Sequence, residues 1–165
     1  MKKVPVLYLS IFLIGLVVDQ VVKAWARGRF AIGESLALPW PGVFELTLTY
    51  NKGIAFGMFQ GAGVLFVPVA LGMAGYATWM CWRSPQQTGL AIWGLGMLAG
   101  GAIGNLIDRV WLGKVTDMFW LRAINFPVFN IADALITVGA ILIGVHMVFE
   151  AKPEATPQEK PITNT

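Results

Sequence analysis

Histidine and cysteine are almost missing from this 165-residue chain, which holds only His146 and Cys81. A zinc-peptidase cluster such as His-Glu-x-x-His cannot be built from one histidine. One thiol excludes an internal disulfide and a Cys-rich metal site. In its Trp-Met-Cys-Trp setting, Cys81 reads as a buried structural residue. Serine is scarce as well. Ser10, Ser35 and Ser84 have no base beside them of the kind a nucleophile needs, and the pair Ser35 with Lys23 carries no motif. No glycine loop of the phosphate-cradling type is present. Charged residues make up 13% of the chain, against about 25% in an ordinary soluble domain. The net charge of +3 is scattered rather than gathered in a basic run, which sets nucleic acid aside as a partner.

What fills the chain is apolar. It is 56% hydrophobic, with a mean hydropathy of +0.67, too much to hide in a soluble fold of one-domain size. A membrane helix needs roughly 20 predominantly apolar residues, and four stretches qualify: Val4–Val22, Gly61–Trp82, Thr88–Ile107 and Val128–Phe149. The expectation is an all-α membrane protein, a single four-helix domain over residues 1–150. A Pro-, Glu- and Lys-rich disordered tail follows over 151–165. The Met-Lys-Lys start resembles a secretory signal, but its apolar run continues to Val22 with no small-residue cleavage pattern, so it reads as a retained first span.

Four spans put both termini and the Cys81–Gln87 link on one side. Two longer connections, about Ala24–Gln60 and Asp108–Pro127, then share the other. Lys and Arg near span ends normally orient such a protein. Here five on the terminal side against seven on the loop side give no usable bias.

The first long connection has structure of its own. Phe44–Tyr50 alternates apolar and polar residues, the period of a half-buried strand. Asn51-Lys52-Gly53 signals a turn, and Ile54–Phe59 returns as a second apolar segment. A small sheet over about 30–60, lying on the membrane surface, is expected. Trp25, Trp40, Trp111 and Trp120 would anchor that face at headgroup level. Gly53 and Gly57 would let the Tyr50–Phe59 region move as a flap.

Ionisable groups in membrane spans are costly and so point to function. Asp19, Lys23, Asn51, Asn105, Asp108, Arg109, Asp117, Asn130 and Asp133 all fall at or near the loop-side ends of spans. Each also has a structural reading. Asn130 and Asp133 have the spacing of a helix N-cap and its third residue. Asp117 is a loop aspartate flanked by Val115, Met118, Phe119 and Trp120. Asp19 and Lys23, four apart, can pair on one helix face, serving structure or substrate equally well. Asp108-Arg109 reads as a local pair. Gly100, Gly101 and Gly104 suit close helix packing. His146 lies thirteen residues beyond Asp133, about 20 Å along a helix, and cannot join the carboxylates.

With histidine, cysteine, serine and metal chemistry set aside, carboxylates remain. Two close aspartates share one proton, because both cannot easily ionise. The ionised one can activate water while the protonated one polarises a peptide carbonyl. The same inventory also allows a non-enzymatic carrier, or a scaffold whose carboxylates hold ions or helix ends.

Five segments, in order between Val18 and Ile136, resemble the bacterial lipoprotein signal peptidases (signal peptidase II). They are Asp19-Gln20-Val21-Val22-Lys23, Asn51-Lys52-Gly53-Ile54-Ala55-Phe56-Gly57, Gly100–Arg109, Val115-Thr116-Asp117 and Phe129-Asn130-Ile131-Ala132-Asp133. Thr116 departs mildly from the resemblance, standing where an aliphatic residue is expected. The resemblance implies an aspartic endopeptidase without cofactor or metal, with Asp117 and Asp133 as the catalytic pair. It implies that Asp19, Lys23, Asn51, Gly53, Asn105, Asp108, Arg109, Asn130 and Ala132 shape the site. It further implies a multi-pass protein of the bacterial inner membrane, with an extracytoplasmic site and cytoplasmic termini. Its substrates would be prolipoproteins cut just before a diacylglyceryl-modified cysteine. Membrane lipid is the other expected partner, and a monomer the expected state.

Overall fold

The computed structural model describes residues 3–38, 40–53, 66–83 and 88–150. The elements run α1 (Lys3–Arg29), β1 (Ser35–Ala37), β2 (Glu45–Asn51), α2 (Val67–Arg83), α3 (Gly89–Leu112), β3 (Val115–Trp120), a 3-10 turn (Arg122–Ile124) and α4 (Ile131–Glu150). The expected returning segment Ile54–Phe59 with Gly57, residues 61–65 of the expected second span, and the 151–165 tail lie outside the described residues.

Among the described residues, three helices are long and apolar enough to cross a membrane: Pro5–Arg29, Gly89–Leu112 and Ile131–Phe149. In the most apolar window of α4 only 11% of residues are buried, and in that of α1 only 22%. Exposed Ile14, Val17, Val21, Ile141, Val148 and Phe149 would be untenable in water on such a scale. α1 runs seven residues past the expected end at Val22. The physical reason is that Lys23, which ends the apolar run in sequence, is wholly buried and paired rather than solvated.

α3 is the central helix, packed against α1, α2 and α4, and its window is 67% buried. Small residues make this possible. Gly94 and Gly101, seven apart, face α4, where an added Cβ would meet the backbone oxygens of Gly139 and Ala132. Gly96, Gly100 and Gly104, four apart, face α1 and would meet Ile11, the Phe12 carbonyl and the Asp19 carboxylate. Helix backbones approach this closely only where side chains are absent. Gly101→Ala is therefore expected to destabilise the bundle by about 1–3 kcal/mol through overpacking. Thermal unfolding in detergent would read the loss, and an unchanged midpoint would contradict this packing.

Gly113 ends α3 in the left-handed conformation, φ 68°, donating its N–H to the Arg109 carbonyl. This cap turns the chain at once into β3. The sheet order is β1-β2-β3, antiparallel throughout. Leu46 pairs with Phe119 and Thr49 with Asp117, so β2 carries one extra residue opposite β3. This is a bulge placed beside Asp117. Among the described residues two apolar cores result. One lies toward the terminal ends of the helices, around Tyr8, Ile11, Cys81, Ile92 and Leu95. The other joins Ala26 and Phe30 of α1 to Leu48 and Met118 of the sheet.

Candidate functional site

Asp117 and Asp133 are sixteen residues apart in sequence, and two backbone devices bring them to one cavity. The segment before α4 pairs with β3. Phe129 N–H donates to the Phe119 carbonyl at 3.0 Å, while the Met118 and Phe119 N–H groups donate to the Phe129 carbonyl at 3.0 and 2.9 Å. The next residue, Asn130, caps α4. Its Oδ1 accepts from Asp133 N–H at 2.9 Å, and Asp133 Oδ2 accepts from Asn130 N–H at 3.1 Å. This reciprocal box satisfies donors that a helix start leaves orphaned. Ala132 N–H, in the same first turn, donates to Asp19 Oδ1 at 2.9 Å. The start of α4 is thus surrounded by carboxylates, which its dipole favours.

The amide orientations follow from chemistry. Lys23 Nζ can only donate, and it donates to Asn105 Oδ1 at 2.9 Å. Asn105 must therefore turn its Nδ2 the other way, where it donates to Asp133 Oδ1 at 2.8 Å. Asn130 Oδ1 is committed to the helix cap, so its Nδ2 donates to Asn105 Oδ1 at 3.1 Å and to Asp117 Oδ1 at 2.6 Å. Both oxygens of Asp133 accept N–H hydrogen bonds, as an ionised carboxylate does. Burial pushes the Asp117 carboxyl up to about 8, and the facing Asp133 charge adds to that push, partly offset by the Asn130 hydrogen bond.

Behind this pair lies a buried ion network. Lys23 sits 2.9 Å from Asp19 and 3.6 Å from Asp108, with all three side chains out of solvent. Asp108 and Arg109 do not form the local pair expected from their adjacency. Asp108 turns to Lys23 and Arg27 on α1. Arg109 instead donates to the Asn105 carbonyl and to the Gly53 carbonyl, each at 3.3 Å. Gly53 is held in turn by its N–H to Asn51 Oδ1 at 2.8 Å, an Asx turn. Asn51, Asn105, Arg109, Asp117 and Asp133 all line one cavity of about 720 Å³, whose remaining wall is mostly apolar side chains of α2, α4 and the segment before α4. His146 bonds Thr88 at 2.9 Å, where α3 begins. It does not join this cluster.

Three participants were given no site role in the sequence. Gln20 Nε2 donates to Asp19 Oδ2 and to the Gly104 carbonyl, both at 3.0 Å. Arg27 reaches Asp108 and Thr116. The signal for Arg27 was present: Asp19, Lys23 and Arg27 recur every four residues, one stripe down a helix. Thr116 was visible only as a departure from the family pattern, and a buried β-branched residue suits a strand whether or not its hydroxyl is used.

The fold and site define a multi-pass helical membrane protein with carboxylates clustered at one end of its bundle. Residues 11–149 match the family described as Signal peptidase (SPase) II. The chain is 39% identical over 143 residues to the lipoprotein signal peptidase of Lactococcus lactis subsp. lactis (strain IL1403), covering 87% of this chain and 93% of that one. It is 41% identical over 138 residues to that of Gloeobacter violaceus, covering 80% and 77%. A solved bacterial membrane enzyme superimposes with a TM-score of 0.83 at 27% identity, over 93% of this chain and 94% of that one. The chain belongs to the signal peptidase II family.

Proposed function

We propose that this protein is a membrane-embedded aspartic endopeptidase that removes signal peptides from prolipoproteins, with Asp117 and Asp133 as its catalytic pair. The observation that carries the reading is the linkage of both carboxyl groups through Asn130 and Asn105 at one end of an apolar cavity. Family membership supports the substrate class. A carrier or scaffold fits less well, because among the described residues the buried acidic and basic side chains gather at one level of the bundle rather than marking a path through it.

In the proposed reaction Asp133 is the base and Asp117 holds the proton at neutral pH. A water between them gives a proton to Asp133 as its oxygen attacks the scissile carbonyl carbon. Asp117 donates its proton to the carbonyl oxygen. The resulting diol collapses, the C–N bond breaks, and the leaving amine takes the proton from Asp133 while Asp117 recovers its own. No covalent intermediate is needed. One proton on the pair also balances the cluster. Lys23, Arg27 and Arg109 then face three charged carboxylates, Asp19, Asp108 and Asp133, and a low-dielectric site favours that neutrality.

The apolar wall of the cavity suits the hydrophobic stretch of a signal peptide, with the scissile bond at the polar end. In this reading α2 is a fourth span and the sheet rests on the extracytoplasmic surface of the bacterial cytoplasmic membrane, with both termini cytoplasmic. Exposed Trp40 and Trp111 would then meet the headgroups. A diacylglyceryl group on the substrate cysteine would keep the scissile bond at that level. The test compares a diacylglyceryl-modified prolipoprotein with its unmodified form in proteoliposomes. Cleavage just before the modified cysteine, and little cleavage of the unmodified form, is expected. Equal rates for the two would remove the lipid from the account.

A further inference from the structure

Thr116 precedes Asp117 in β3 and is fully buried. Side chains alternate across a strand, so Thr116 and Asp117 point to opposite faces. The Thr116 backbone N–H donates to Asp108 Oδ2 at 2.8 Å. Its hydroxyl accepts from Arg27 Nη1 at 3.0 Å. The same arginine nitrogen lies 3.6 Å from Asp108 Oδ1. Groups from α1, α3 and β3 thereby close a ring of three. The Arg27 side chain is 28% exposed, whereas Asp108 and Thr116 are buried. Valine would fill the Thr116 site with the same shape, so filling space does not explain a hydroxyl there. What the hydroxyl adds is a second hold on an arginine that water would otherwise draw away from Asp108.

We propose that the Thr116 hydroxyl is a positioning element of the active site: by holding Arg27 against Asp108, it steadies the strand carrying Asp117 and tunes how firmly Asp117 keeps its proton. The inference rests on reading Asp117 and Asp133 as the hydrolytic pair. The charged groups acting on Asp117 are Asp133 from α4, Lys23 from α1 and Asp108 from α3. Arg109, also from α3, stands on the wall of the same cavity. Arg27 acts on this set through Asp108. The Asp108 charge strengthens the hold of Asp117 on its proton, and a cation fixed on Asp108 offsets that influence. Without the Thr116 hydroxyl, Arg27 loosens, Asp108 acts with less compensation, and Asp117 releases its proton only at higher pH.

The test uses Thr116→Val, Thr116→Ser and Arg27→Gln in the full-length protein, with two readouts. One is the pH dependence of kcat on a diacylglyceryl-modified prolipoprotein. The other is the infrared carboxyl band of Asp117 as a function of pH, assigned by its disappearance in Asp117→Asn. For Thr116→Val, kcat near neutrality falls by about fivefold, with KM changed by less than about twofold. The alkaline limb and the infrared midpoint both rise by about half a pH unit. Thr116→Ser keeps the wild-type profile. Arg27→Gln shifts the same way, and Thr116→Val with Arg27→Gln shifts no further than Arg27→Gln alone. An infrared midpoint in Thr116→Val that superimposes on wild type, or moves down, overturns the proposal. Failure of the wild-type protein to cleave any prolipoprotein counts against the hydrolytic reading alone, because the infrared midpoint still reports on the ring.

Discussion

Asp117→Asn and Asp133→Asn are each expected to lower prolipoprotein cleavage by about a thousandfold or more, since each removes one half of the proposed proton relay. The two variants should differ in stability. In the proposed reaction Asp117 is neutral at pH 7, burial pushing its carboxyl up to about 8. An amide there replaces an uncharged group, and its oxygen can still accept from Asn130 Nδ2. Asp117→Asn should therefore unfold within about 1 kcal/mol of wild type. Asp133 uses both oxygens as acceptors, for Asn105 Nδ2 and Asn130 N–H. Its amide turns one of those contacts into donor against donor, costing about 1–3 kcal/mol. A purely structural role for the cluster predicts the reverse for Asp117: activity of whatever kind would track stability. Cleavage rates and unfolding curves on the same preparations separate the two accounts.

The second large effect is on stability. Lys23→Met leaves Asp19 and Asp108 facing each other's charge without the ammonium between them, and all three side chains are buried. Breaking one partner out of such a network costs about 3–5 kcal/mol. It also frees Asn105 Oδ1 from the donor that fixes its orientation, so the amide can turn and present the wrong group to Asp133. Loss of stability and loss of activity should appear together. Adding Asp19→Asn to Lys23→Met removes one stranded charge, and the double variant should unfold less readily than the two single costs would sum to. Thermal unfolding in lipid nanodiscs measures the set. A Lys23→Met protein within about 0.5 kcal/mol of wild type would mean that Lys23 is solvated rather than buried.

Much of the helical frame was legible because a long apolar run has one economical structure in lipid. α3 and α4 fall close to their expected spans. The end of α1 was set too early because Lys23 closes the apolar run in the sequence, whereas its buried pair with Asp19 lets the helix continue. The strands divided the same way. β2 was visible through its alternation over Phe44–Tyr50. β3 was not, because Val115, Thr116, Asp117 and Met118 are all buried, so both faces of the strand are covered and no period-2 contrast survives. β1, three residues long, is too short to carry a pattern. In the site, Asn130 with Asp133 was readable as a helix cap because that spacing is local. The partnership of Asp108 with α1 was not, because nothing local distinguishes it from a pair with Arg109. Tertiary packing decides between those two partners.

The most direct test of the shared proton is the pH dependence of kcat on a diacylglyceryl-modified prolipoprotein. As pH rises through about 8, Asp117 loses the proton that burial and Asp133 had held on it. The site is then left with two bases and no acid. The account predicts a rate that falls about tenfold for each pH unit beyond that point, with the protein still folded. A rate that stays level or climbs from pH 8 to 10 would contradict it, because hydrolysis would then be proceeding without the one hydrogen ion the two aspartates are said to share.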